Sequence, residues 1–330
     1  MVSKIICLEV YKKVILGLFF IVNFIMWGRE NMFQLDDTMS IQKIINSIDS
    51  KERTVIYLKN GIYKEKLYIN KPNIKLLGES KNGVIIEWDD ASDTIKRDGS
   101  QETYGTAGSA SVTIFPEAVG FQAENITFLN SFDYNRSNFK NKQAVALKND
   151  ADMSEFRNCN FLGNQDTLYA NTGRQYYFEC YIEGHVDFIF GAAQAYFEKC
   201  EIFSKDKKDE KVNGYVTAAS TKETEELGFI FNACNFVSDA KANTVYLGRP
   251  WHPGKRPGHN PSVIIMNSDL GKHINNEGWT VMSGFLPEDA RFYEYSNTGI
   301  GAKENIKRRV LSKEEAQKIT KEKLFKDWKV

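Results

Sequence analysis

Apolar residues along this chain recur in short runs rather than in long helical stripes. Thr54–Leu58, Gly83–Trp88, Ser111–Phe115 and Ser262–Met266 are β-rich and separated by Gly, Asn and Asp, which predicts strands joined by turns. Two places depart from this. Ser40 followed by Ile41, Ile44, Ile45 and Ile48 has helical spacing behind an N-cap, so one amphipathic helix opens the domain. Ser312-Lys-Glu-Glu315 is a capping-box pattern that predicts a short helix running through Ala316 and Ile319. No Pro/Ser linker divides the chain between them, so residues 31–330 read as one domain.

The remaining apolar stretch is different in kind. Val14–Trp27 is broken only by Gly17 and Asn23 and follows Lys12 and Lys13. That suits a signal-peptide core behind a basic segment and is shorter than the roughly 20 residues of a membrane-spanning helix. Phe24-Ile-Met-Trp27 offers no small-x-small cleavage site, so residues 1–30 are expected to be an export signal or a retained hydrophobic anchor. A buried strand or helix is the other reading. A secreted or cell-surface protein follows from the first.

Within the strand-rich region one pattern repeats. Phe156-Arg-Asn-Cys159-Asn-Phe161, Tyr177-Phe-Glu-Cys180-Tyr-Ile182, Phe197-Glu-Lys-Cys200-Glu-Ile202 and Phe231-Asn-Ala-Cys234-Asn-Phe236 each place an aromatic three positions before Cys and an apolar residue two after. The steps are 21, 20 and 34 residues, the last holding a charged insertion around Lys205–Lys211. A repeat of this length made of short strands predicts a solenoid whose turns stack. Successive rungs lie about 4.8 Å apart, within disulfide range. Each Cys nevertheless opens an apolar pair, which favours a ladder of small buried thiols. Neither Cys-x-x-Cys nor paired His spacing occurs, so zinc is not expected and no metal or cofactor is called for.

Composition then narrows the picture. The 43 basic and 43 acidic residues cancel, so net charge points to neither nucleic acid nor an anionic membrane. Aromatics reach 13% and Pro is scarce at 7, which fits a core-forming protein but names no chemistry.

Polar residues follow the same arithmetic as the cysteines. Gln143, Gln165 and Asp187 are spaced by 22 and 22, which would stack all three on one face, with Asp166 offset by one from Asp187 on the neighbouring rung. Strict alternation sends Gln165 and Asp166 to opposite faces, so both reach one site only if a bend follows Gly163-Asn164. Two carboxylates roughly 5–7 Å apart repel by about 2–3 kcal/mol at an effective dielectric near 20. One is then protonated and the other ionised, an acid/base and nucleophile pair. Uncharged amide donors beside them suit an oxyanion. The alternative is a polar ladder with no chemistry.

Five motifs in order favour the catalytic reading. Gly61-Ile-Tyr63-Lys-Glu65, Gln143-Ala-Val-Ala-Leu147, Gly163-Asn-Gln-Asp-Thr-Leu-Tyr169, Gly184-His-Val-Asp-Phe-Ile-Phe-Gly191 and Leu247-Gly-Arg-Pro-Trp251 closely resemble the pectin methylesterases. Ser111-Val-Thr113, Gly120-Phe-Gln-Ala-Glu-Asn125, Gly278-Trp279 and Phe292-Tyr-Glu-Tyr-Ser-Asn-Thr-Gly299 match as well, and the likeness runs from about Ser40 to Trp328. The resemblance implies an all-β fold, a right-handed parallel β-helix with short terminal helices. It implies hydrolysis of galacturonate methyl esters, with methyl-esterified homogalacturonan as the partner and methanol released. Asp187 would be the nucleophile and Asp166 the general acid, then base. Gln143 and Gln165 would hold the oxyanion, and Arg249 would orient Asp187. Thr113, Tyr169, Val186, Phe190 and Trp251 would contact the sugar. A monomer is expected.

Departures and rivals sharpen this. Phe33–Met39 lacks the glycines that usually open the family, so a shortened or distorted first rung is expected. His185 stands where the family more often has a small or polar residue, and a solvent-facing bystander is the expectation there. A neutral chain acting on a polyanion would need basic residues along the cleft. No Gly-x-Ser-x-Gly occurs, which disfavours a serine esterase. A β-helix glycosidase using the aspartate pair is the main enzymatic rival, though it needs no oxyanion site. A non-catalytic carbohydrate-binding solenoid is the other.

Overall fold

The computed structural model describes residues 31–49 and 51–330. The leader expected over residues 1–30 lies outside them. Among the described residues no helix is long and apolar enough to cross a membrane.

Strands dominate, and every pairing between named strands is parallel. They form three sheets of ten, seven and eight strands among the described residues. From Thr54 to Leu270 the chain visits the sheets in a fixed cycle: Thr54–Leu58 in the ten-stranded sheet, Gly61–Lys64 in the eight-stranded one, Leu67–Ile69 in the seven-stranded one, then Ile74–Gly78 back in the first. Each circuit is one rung of a parallel β-helix. The closed circuit lets the strands bury one face in a shared interior, as the alternation of buried and part-exposed residues along Ile74–Gly78 shows.

The Cys repeat marks the first corner of each rung. Asn125, Asn158, Glu179, Lys199, Ala233 and Asn267 hold φ between 48° and 58° between the first and second strands. Their N–H groups donate to Arg157, Phe178, Glu198, Asn232, Met266 and Tyr295 on the following rung, so the ladder continues through the bend. Cys159, Cys180, Cys200 and Cys234 come next, all buried and none in a disulfide. The expected thiol ladder is therefore present. The preceding aromatics form an interior stack: Phe156 on Tyr177 at 4.8 Å, Tyr177 on Phe197 at 4.6 Å, and Phe197 on Phe231 at 4.5 Å.

The ends differ from expectation in detail. Asn31–Leu35 pairs with Thr54–Leu58 over five residues in unbroken register, but a turn and the helix Ile41–Ser47 follow it in place of second and third strands, so the first rung is shortened, as expected, while its strand is not distorted. Asp36 replaces the glycine turn by accepting from the Thr38 N–H and hydroxyl. Ser40 then caps Ile41–Ser47, while Glu65 accepts from the Ile41 N–H (2.6 Å) and the Ser40 hydroxyl (2.9 Å). At the other end the Ser312–Glu315 capping box forms, but its helix stops at Ala316. Thr320 is extended and caps a second helix, Lys321–Phe325. Leu324 and Phe325 bury against Tyr176, Tyr196 and Ile230 on the outside of the ten-stranded sheet.

Candidate active site

The site lies on the outer face of the seven-stranded sheet. Gln165 stands opposite Val186, and the Asp166 N–H donates to the Val186 carbonyl at 3.1 Å. The same bond pattern, Ala144 N–H to the Gln165 carbonyl at 3.1 Å, sets Gln143 opposite Gln165. The 22-residue step there is absorbed where Ala146 and Leu147 both donate to Thr167 O. The next step is 21 residues, as Leu168 opposite Ile189 shows. This corrects the sequence reading: Gln165 aligns with Val186 rather than Asp187, and the two aspartates face each other with no offset.

The bend required by the sequence sits on the aspartates themselves. Asp166 has φ 62° and Asp187 φ 50°. Left-handed backbone at these two residues breaks the alternation that would otherwise point one neighbour inward, and Asp tolerates it better than most residues. Gly184 is needed just upstream, because a Cβ there would lie 2.5 Å from Asn164 O and 2.3 Å from Phe188 Cβ.

Arg249 fixes the asymmetry of the pair. Its Nε and Nη2 donate to Asp187 Oδ1 at 2.9 Å and Oδ2 at 2.6 Å, a bidentate bridge. Both carboxylates are nearly buried, at 8% and 7% exposure. Burial and the Asp187 charge push Asp166 well above the usual carboxylate range, with Arg249 opposing more weakly. Burial also raises Asp187, but there the Arg249 hydrogen bonds and charge act directly against it. When the pair holds a single proton, these causes favour it on Asp166 and leave the charge on Asp187. The Gln143 Oε1 is buried without a partner, and no protein group bonds either glutamine carboxamide among the described residues.

These groups open into a cleft of about 410 Å³ lined by Gln143, Gln165, Asp166, Asp187, Arg249 and the rings of Tyr169, Phe190 and Trp251. Tyr169 stacks on Phe190 at 4.2 Å and 15°, and both lie within 6.2 Å of Trp251. Thr106, Ala107, Ala218 and Met282 complete the lining, and no sequence motif points to them. Ala218 follows only from register, opposite Phe190 across the charged insertion. Thr113 and Val186 are not among the lining residues. Thr113 is buried on Val112–Ile114, opposite Lys148, and Val186 stands between Gln165 and Tyr215.

Two expectations fail here. His185 is 4% exposed, packs edge-on against Tyr134 at 4.4 Å, and has both ring nitrogens without partners. Burial, with Lys207 and Lys205 nearby, lowers its pKa to about 3, so it is a neutral core residue and no solvent-facing bystander. Nor is the cleft lined with basic residues: Arg249 alone is cationic, and it is paired. That wall suits an uncharged, esterified sugar rather than a polyanion.

The sequence model of the pectinesterase family matches residues 34–327. The chain belongs to the pectinesterase family. Pectinesterase A of Dickeya dadantii is 37% identical over 308 residues, covering 83% of this chain and 82% of that one. Pectinesterase 31 of Arabidopsis thaliana is 36% identical over 272 residues, covering 81% and 80%. Among solved structures, a pectin methylesterase from Erwinia chrysanthemi superposes with a TM-score of 0.82 at 35% identity, over 88% of this chain and 93% of that one. A pectin methylesterase in complex with a hexasaccharide gives 0.82 at 34%, with the same coverage. The parallel β-helix is thus the family's fold, and the chain is a carboxylic ester hydrolase of that family.

Proposed function

We propose that the chain removes methyl esters from the galacturonate units of pectin, with Asp187 as the nucleophile. The observation that carries this reading is the asymmetry of the aspartate pair: Asp187 accepts a bidentate bridge from Arg249 while Asp166 is buried beside it without such a partner. Asp187 Oδ attacks the ester carbonyl, and negative charge develops on the carbonyl oxygen. The carboxamides of Gln143 and Gln165 donate to that oxygen; being neutral, they do not compete with Arg249 for Asp187. Asp166 gives its proton to the departing methoxide, so methanol leaves and a mixed anhydride remains on Asp187. Ionised Asp166 then takes a proton from water, whose oxygen attacks the acyl carbon and frees the product carboxylate.

Tyr169, Phe190 and Trp251 offer flat faces for pyranose rings, and Thr113 and Val186 would contact sugar only beyond the lining described above. The chain acts as a monomer outside the cell, its leader directing export. The main rival from the sequence, glycosidic cleavage by the same aspartates, makes no use of two amide donors or of the bidentate arginine. Incubation with highly methylated pectin separates the two: the account expects methanol without new reducing ends, and reducing ends without methanol would overturn it.

A further inference from the structure

Arg249 reaches Asp187 from a distance. It follows Val245–Gly248, and the strand Gly214–Ala219 lies between that strand and Val186–Gly191, which carries Asp187. The guanidinium thus spans two strand spacings, about 9.6 Å of sheet. An arginine stem has several rotatable bonds, so contacts along its path help to select the bidentate rotamer. Its backbone is anchored by donation from Arg249 N–H to Thr217 O at 3.0 Å, but that bond does not orient the fork.

The ring that lies along the way is Tyr215. Its centroid is 3.8 Å from the Arg249 guanidinium carbon. Tyr215 stands opposite Val186 on one side and Tyr246 on the other, in the column that also holds Gln165. The Tyr246 ring stacks on it at 5.9 Å and 18°. Rotation of Tyr215 is therefore restrained by a second aromatic. At this separation the guanidinium lies on the ring face, which attracts the cation and shields it from water.

The geometry points to Tyr215 as a positioning residue that holds the Arg249 fork on the Asp187 carboxylate, with Tyr246 backing it. Its action runs through Arg249 and needs the ring face rather than the phenol hydroxyl. This rests on Asp187 being the nucleophile, so wild-type methanol release and its loss in Asp187→Ala are measured first.

The test is a double-mutant cycle on kcat and KM for methanol release from methylated pectin, in proteins with matched melting curves. Tyr215→Leu should lower kcat about five- to tenfold with KM little changed, the scale of one cation–π contact. Tyr215→Phe keeps the ring and should stay within about twofold of wild type. In an Arg249→Lys background, which removes the planar fork, Tyr215→Leu should cost less than about twofold more. The proposal is overturned if Tyr215→Phe loses as much as Tyr215→Leu. It is also overturned if Tyr215→Leu costs the same factor in both backgrounds, or if its effect falls on KM alone. Should Tyr215→Leu fail to fold, the Tyr215→Phe result decides: a tenfold loss of kcat in that folded variant rules the ring-face role out.

Discussion

Replacing Asp166 by Asn tests the electrostatics of the site through stability, independently of turnover. The change keeps the size of the side chain and its tolerance of the left-handed backbone at φ 62°. In the wild type Asp166 and Asp187 face each other on adjacent rungs, so their carboxylates are about 5–6 Å apart. At an effective dielectric near 20, two negative charges at that distance repel by about 3 kcal/mol, which adds to the effect of burial in disfavouring an ionised Asp166. Asp166 titrates higher in the folded chain than in the unfolded one. Its contribution to stability is thus full below the unfolded value near ~3.9 and is lost as pH rises through the folded value. Asn has no such loss. Melting curves of both proteins should converge at acid pH and separate as pH rises, the variant becoming the more stable. At about 2 °C per kcal/mol the gap should reach several degrees. Activity falls at the same time by about 10²–10⁴-fold, the range of a lost general acid. A gap between the two melting temperatures that stays constant with pH would refute the reasoning, because Asp166 would then titrate alike in the folded and unfolded chains.

Other outcomes follow from the same geometry. Arg249→Lys keeps a positive charge but cannot form the two-bond fork, so kcat on methylated pectin should fall about 10–100-fold, with unchanged far-UV circular dichroism. Phe197→Ala removes a ring stacked on both sides, at 4.6 and 4.5 Å, from a fully buried position. Urea unfolding should show a loss of about 3–5 kcal/mol. Thiol titration of the unfolded chain should give the same count with and without prior reduction, since Cys159, Cys180, Cys200 and Cys234 are unpaired.

Much of this architecture is legible in sequence because a solenoid writes its period directly into the chain. The Cys repeat locates the corners, and the 21-residue step alone puts Asp166 and Asp187 on neighbouring rungs. The same arithmetic misplaces Gln165 relative to Asp187 by one, because a small irregularity at Ala146 and Leu147 makes one rung a residue longer than the next. Nothing local marks such a slip. Met282 and the Thr106–Ala107 turn enter the cleft from segments distant in the chain, and no periodicity points to them. The turn is held from behind by Lys66, whose Nζ donates to Asp90 and to Gly108 O, both at 2.6 Å. The place of His185 beside Asp187 suggests exposure, while Tyr134 from a remote loop covers it. The first strand escapes distortion because a glycine-poor turn can be built by an aspartate accepting from a downstream N–H. Several motifs of the family resemblance prove to serve the scaffold: Glu65 caps a helix, Trp279 stacks on Phe292 at 4.5 Å, and Glu294 pairs with buried Arg308.

The central claim is that Asp187 attacks the ester. Methanol release from highly methylated pectin by the wild type, Asp187→Ala and Asp187→Asn tests it most directly. The account predicts steady release by the wild type and none above background from either variant, with all three folded by circular dichroism. Release by Asp187→Ala at a rate within about tenfold of wild type would contradict it.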